Sequence, residues 1–195
     1  MSSSLLQSSL SKYFTEHKKE ALILKQLVEG TYPVSLRVID WFVTHYSKIK
    51  NIMYWLDDSK NSMMEGLPAH FTPEIRKFHL YYEYRAQLKS YTKLYFDPFR
   101  RHNRISFVVQ TAPHMAIETT LGQLNFFRWA IQNHILDYVQ SHLTEIEEAM
   151  TQYQTHRKKR SHSKEKKPLS KDTLKKDVIT IKDMKKRTEY SVRFD

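Results

Sequence analysis

The sequence predicts a mainly helical α+β fold: a single domain of about five helices and a small sheet of short strands, with a basic linker near the C-terminus. Three observations carry that reading. Only 3 Gly and 6 Pro occur in 195 residues, too few turn formers for a many-stranded sandwich or barrel. Apolar residues recur at three- and four-residue steps over long stretches, the period of a helix buried on one face. Between those stretches lie short runs of β-branched and aromatic residues of strand length. Hydrophobic residues are 40% and charged residues 27% of the chain, which are the proportions of a globular domain and not of a disordered one. At this length one core forms more readily than two.

The elements follow in order. Leu6, Leu10, Phe14, Ala21, Leu24, Leu27 and Val28 make one long amphipathic helix. Gly30 closes it, since glycine alone takes the left-handed position past a helix end without strain. A second helix follows Pro33, a residue tolerated in a first turn because its missing donor is not needed there; Val34, Val38, Trp41 and Phe42 form its apolar face, with His45 beside them. Ile52–Leu56 reads as a strand or as a helix end. Residues 57–65 read as a loop, extended by Gly66–Pro73. A third helix starts between Pro73 and Leu80 and runs to about Leu94. After a break around Pro98, Ile105–Val109 alternates as a strand. Thr119 to about Asn133 is helical, with Leu121, Leu124, Phe127, Trp129 and Ile131 around most of its circumference, the mark of a deeply buried helix. Ile135–Tyr153 continues helically with a bend, because Thr144 and Glu147 have capping-box spacing.

Charge is distributed unevenly. The chain carries a formal +11. Residues 156–195 hold 15 Lys+Arg against 6 Asp+Glu, a net of +9, and the remaining 155 residues hold 17 against 15, a net of +2. The expected domains are therefore a helix-rich body at 1–155, a solvated basic linker at 156–177, and a C-terminal segment at 178–195 that docks back as a strand. The linker reading rests on HRKKRSHSKEKKPLSKDTLKK, which lacks the apolar area to offset the entropy of ordering it. The returning strand rests on Val178, Thr180, Tyr190, Val192 and Phe194, with Ile105–Val109 as its expected partner.

Two basic elements are candidates for function. Within YYEYRAQLKSYTKLYFDPFRRHNR, residues Arg85, Lys89 and Lys93 fall at i, i+4 and i+8, which aligns them on one helix face. Arg100, Arg101 and Arg104 follow the turn, with Tyr91, Tyr95, Phe96 and Phe99 interleaved. Cations in a row can neutralise phosphates while rings between them stack on bases; the competing reading is a solvated face over core aromatics. In the linker, Arg157, Lys158, Lys159, Arg160, Lys164, Lys166 and Lys167 form a second patch, read either as a nucleic-acid or nuclear-import segment or as a solubilising stretch.

Catalytic and metal chemistries find no signature. The chain has no Cys, which removes disulfides, thiolate metal sites and cysteine nucleophiles. Its 10 His include no i, i+4 pair and no HExxH, and phosphate-cradling glycine loops and the GxSxG elbow are absent. Asp97 reads as a turn residue ahead of Pro98, and Glu145, Glu147 and Glu148 as a solvated first turn. No apolar stretch reaches the roughly 18 residues of a membrane span, and the first ten residues lack the basic start and apolar run of a signal peptide. The expectation is a protein that is neither secreted nor membrane-spanning.

Three segments carry a resemblance: IDWFVTHY (39–46), YRAQLKSYTKLYFDPFRR (84–101) and ETTLGQLNFFRWAIQNHILDY (118–138). Together they resemble uncharacterised proteins of nucleocytoplasmic large DNA viruses, the iridovirus, asfarvirus and giant-virus lineage. The resemblance covers about residues 34–150 and the terminal SVRFD, and it brings no catalytic residues. It implies a viral protein acting in the cytoplasm or nucleus of an infected cell, or in the particle. The resulting expectation is a non-enzymatic accessory protein without cofactor or metal. It binds nucleic acid through the two basic elements, in late gene expression, genome packaging or the virion core. The alternative is a structural or adaptor protein whose basic segment meets an acidic protein partner.

Overall fold

The computed structural model describes residues 3–108 and 116–165. The expected strands at Val178–Thr180 and Tyr190–Phe194, and Lys166 and Lys167, lie outside the described residues. Seven helices and five short strands are found among those described. The chain divides into two units, Met1–Gln154 and Thr155–Asp195.

The expected first helix is two. Helix α1 spans Ser3–Glu16 and α2 spans Lys18–Glu29. The break is His17, at φ −113° and ψ 80°, whose ring stacks on Tyr13 with centroids 4.3 Å apart. Gly30 sits at φ 75° and its N–H donates to the Gln26 carbonyl, the left-handed closure expected of it. Leu6, Leu10, Phe14, Ala21, Leu24 and Leu27 are all buried. Helix α3 is a single rod of an α segment, Leu36–Trp41, a π segment, Phe42–Tyr46, and a last α turn, Ser47–Ile49. Its cap is Ser35, whose hydroxyl accepts from the Val38 N–H at 3.3 Å, so Pro33 lies before the helix instead of within its first turn. His45 is exposed and parallel to Trp41, at 6.4 Å and 4°.

Residues 52–56 resolve as strand. Strand β1 (Met53–Asp57) is the centre of a three-stranded antiparallel sheet, with β2 (Ser62–Met64) on one side and β3 (Ile75–His79) on the other. The register pairs Tyr54 with Phe78 and Trp55 with Met64. Residues expected to be loop or helix thus supply two edge strands. The sequence hides β3 because Ile75 and Phe78 stand three apart, as on a helix, while Arg76 and Lys77 are solvated. Asp57 pins the β1–β2 turn: its Oδ1 accepts from the Ser59 hydroxyl at 2.6 Å and from the N–H groups of Ser59 and Lys60 at 3.0 and 3.1 Å. The Ser59 side-chain bond, ahead of the Lys60 contacts, holds the Asp57 carboxyl below its ordinary value. A depressed carboxyl contributes stability above its unfolded value, about 3.9, and loses it as pH falls through the folded one. The stability gap between wild type and Asp57→Ala, measured by urea unfolding, is therefore expected to be wide at neutral pH and to narrow below about pH 4.

Helix α4 runs Leu80–Tyr95, and strands β4 (Ile105–Val108) and β5 (Ala116–Thr119) form a separate antiparallel pair. Helix α5 (Leu121–Gln132) is capped by Thr120, whose hydroxyl accepts from the Gln123 N–H at 3.2 Å. Its Leu124, Phe126, Phe127, Trp129 and Ala130 are buried in one core with Leu6, Leu10 and Phe14 of α1, as the two apolar faces require. Tyr54 crosses this core and donates its hydroxyl to the Asn133 carbonyl at 2.7 Å, so the ring is buried with its polar atom satisfied.

Helix α6 (Ile135–Ser141) and helix α7 (Leu143–Glu165) are separated at His142, the bend expected near Thr144. The linker expected from residue 156 is helical through Glu165. Lys, Arg and Glu are good helix formers, and extending an existing helix avoids the cost of nucleating a new one. Among the described residues no helix is long and apolar enough to cross a membrane.

Candidate nucleic-acid interface

Helix α4 leaves the sheet directly after β3 and carries the expected cationic stripe. It is not a regular helix throughout: Thr92 sits at φ 57° and ψ 173°, a region that only glycine enters freely. Arg85, Lys89 and Lys93 nevertheless line one open groove of about 570 Å³ together with Ala86 and Leu88. All three cations are exposed, and among the described residues none forms an ion pair. Three exposed cations without an ion pair beside one groove suit a phosphate backbone. Thr92→Gly is expected to leave stability unchanged or raise it by about 1 kcal/mol, because relief of strain outweighs the backbone entropy of glycine. Gln87→Gly, in the regular part of the same helix, is expected to cost about 0.5–1 kcal/mol; thermal unfolding of the two variants separates the cases.

The three arginines after the turn part company. Arg100 is half-buried in packing: its side chain lies over Gly122, where an added Cβ would meet Arg100 Cβ at 3.3 Å and the Leu94 carbonyl at 3.2 Å. Its Nε is buried without a hydrogen-bond partner. Arg104 is paired across the β4–β5 hairpin with Glu118 at 3.2 Å. Only Arg101 is exposed and without an ion pair among the described residues. Linear proximity to the stripe therefore does not put Arg100 and Arg104 to the same use. The rings also sort differently from the sequence reading. Tyr91 and Tyr95 are half-buried against the core, whereas Phe99 is 43% exposed.

In the second basic element, Arg157 is exposed on α7, and Lys158, Lys159, Arg160 and Lys164 belong to the same helix.

A second cleft, of about 420 Å³, adjoins the cationic groove and shares Leu88 and Lys93 with it. Asp40 and His45 of α3 face it, with Tyr84, Asp97 and Phe99. The sequence reading missed this juxtaposition because its members come from segments far apart in the chain. Burial raises the Asp40 carboxyl, and the neighbouring Asp97 raises it further, against His45 and Lys93. Burial also pushes the Tyr84 hydroxyl up to about 12, assisted by Asp40 and Asp97. The Thr44 hydroxyl donates to the Asp40 carbonyl at 2.7 Å, so its oxygen is left to accept from His45 Nδ1, also at 2.7 Å. That arrangement leaves Nε2 of a neutral His45 as an acceptor. One Asp97 oxygen accepts from the Phe99 N–H at 2.8 Å, the turn expected before Pro98. The Asp40 carboxylate receives no hydrogen bond from the described residues. Groups of three or more His, Asp or Glu able to hold a metal ion are absent among the described residues.

Comparison with known proteins places the chain. The uncharacterized protein L507 of Acanthamoeba polyphaga mimivirus is 36% identical over 160 residues, which is 79% of this chain. The chain spans only 57% of that relative's length. No solved structure matches. The giant-virus resemblance of the three segments is thus met by a giant-virus relative, and the model of a family of unknown function, DUF7197, matches residues 2–189. This chain belongs to that family.

Proposed function

We propose that the protein is a non-enzymatic accessory protein of a large DNA virus that binds nucleic acid through Arg85, Lys89 and Lys93 and through the basic segment that begins at Arg157. The observation that carries this reading is the groove on α4, lined by three exposed cations that form no ion pair among the described residues. A purely solubilising surface intersperses its charges with opposite ones. The net +9 of residues 156–195 adds a second, sequence-blind attraction. Late gene expression, genome packaging and the virion core all require proteins of this kind.

Replacing Arg85, Lys89 and Lys93 together by Gln tests the reading. Gln keeps the helix, which circular dichroism verifies, while the phosphate interactions go. Weaker binding of a fluorescent oligonucleotide by the triple variant supports the groove as an interface. Undiminished binding removes α4 from it. A protein that ignores oligonucleotides at low salt and instead forms a complex of fixed stoichiometry with an acidic protein is an adaptor.

A further inference from the structure

We infer that the cleft beside the cationic groove receives an unpaired guanine base, whose flanking phosphates lie along Arg85, Lys89 and Lys93. This deepens the nucleic-acid function proposed for the groove and rests on it.

Continuity is the first argument. The groove and the cleft share Leu88 and Lys93, so a strand neutralised at the groove has the cleft within reach of one of its bases. At about 420 Å³ the cleft has the size of an ordinary small-ligand site, and its walls include the exposed ring of Phe99 and the partly buried ring of Tyr84. A base inserted there has aromatic faces to stack on, the sequence-tolerant part of single-strand recognition.

The polar groups choose among bases. The cleft is rich in acceptors: the Asp40 carboxylate, which receives no hydrogen bond from the described residues, and the second oxygen of Asp97. Guanine alone presents two adjacent donors, N1–H and the N2 amino group, on one edge, and a carboxylate accepts such a pair side by side. Adenine and cytosine offer one amino donor next to a ring nitrogen whose lone pair meets the carboxylate unfavourably. Thymine and uracil place their single N–H between two carbonyls. In a duplex the guanine edge is occupied by its partner, so only a single strand, loop or end can use the site. Burial and the Asp97 charge raise the Asp40 carboxyl, the condition of an acceptor short of donors, and two incoming N–H groups would relieve it.

The test is binding of a thymidine decamer, of the same decamer with one central guanine, and of one with hypoxanthine in its place, which lacks the N2 amino group. The guanine oligonucleotide is expected to bind roughly ten-fold tighter than the thymidine one, with hypoxanthine between them. Asp40→Asn is expected to bring the guanine oligonucleotide down towards the thymidine one, because the amide offers one acceptor where guanine presents two donors. Phe99→Ala, in contrast, is expected to weaken all three oligonucleotides by loss of stacking. Equal affinity for all three by wild type, or a guanine preference that survives Asp40→Asn, overturns the guanine site and leaves the general nucleic-acid reading standing. Failure of all three to bind at low salt overturns both.

Discussion

Replacing Phe96 by Ala is expected to cost about 3–5 kcal/mol of stability, the usual range for emptying a large aromatic site in a core. The ring is 1% exposed and meets Phe126 and Trp129 of α5 with centroids 5.3 Å away in each case. It also faces Tyr84 and Tyr91 of α4. Phe96 thus ties the end of the cationic helix to the most deeply buried helix of the body. A loss of this size is a large share of a domain's usual stability of about 5–15 kcal/mol. Denaturant unfolding reads it as a lower midpoint with an unchanged slope. Phe99→Ala, the same change three residues later at an exposed ring, is expected to stay within about 0.5 kcal/mol. Equal costs at the two positions would contradict the division between a core ring at Phe96 and a cleft ring at Phe99.

Charge reversal of Arg157, Lys158, Lys159 and Arg160 to Glu is expected to have the largest effect on binding. Each duplex phosphate that the protein ceases to neutralise flattens the dependence of log affinity on log salt by about 0.9, so four such phosphates amount to a change of about 3.6. Single strands give about 0.7 per phosphate. Glu is also a good helix former, so the far-ultraviolet spectrum is expected to persist. Titrations of wild type and variant at several salt concentrations check the slope, and an unaltered slope would show that this segment does not touch the backbone. The two basic elements have different expected signatures. The reversal changes attraction to every sequence alike, whereas Asp40 acts on one base.

The sequence was informative where a residue's environment follows from its near neighbours. Leu6, Leu10 and Phe14 repeat at one helical face, Gly30 needs a positive φ, and the apolar residues of α5 surround its axis; each of these is a local pattern with a local consequence. It was silent where distant parts of the chain decide. The strand Ile75–His79 has helical spacing and becomes a strand because β1 offers an edge to pair with. His17 breaks what its flanking residues would continue. Thr92 adopts a conformation that threonine disfavours, which no propensity announces. Among the candidate residues, Arg85, Lys89 and Lys93 meet at one groove as their spacing implies, despite that kink. Arg104 is claimed by Glu118 from the neighbouring strand, and Arg100 packs against Gly122 from α5; neither partner could be known without the fold. The cleft of Asp40, His45, Asp97 and Phe99 was invisible for the same reason, since α3 and the turn after α4 are brought together only by the core between them.

The most direct measurement of the central claim is the affinity of the wild-type protein for a fluorescent single-stranded oligonucleotide across a series of salt concentrations. Nucleic-acid binding through the two basic elements predicts tight association at low salt and a log affinity that falls linearly with log salt, with a slope of several units at about 0.7 per neutralised phosphate. No detectable binding at low salt, or an affinity indifferent to salt, would contradict it.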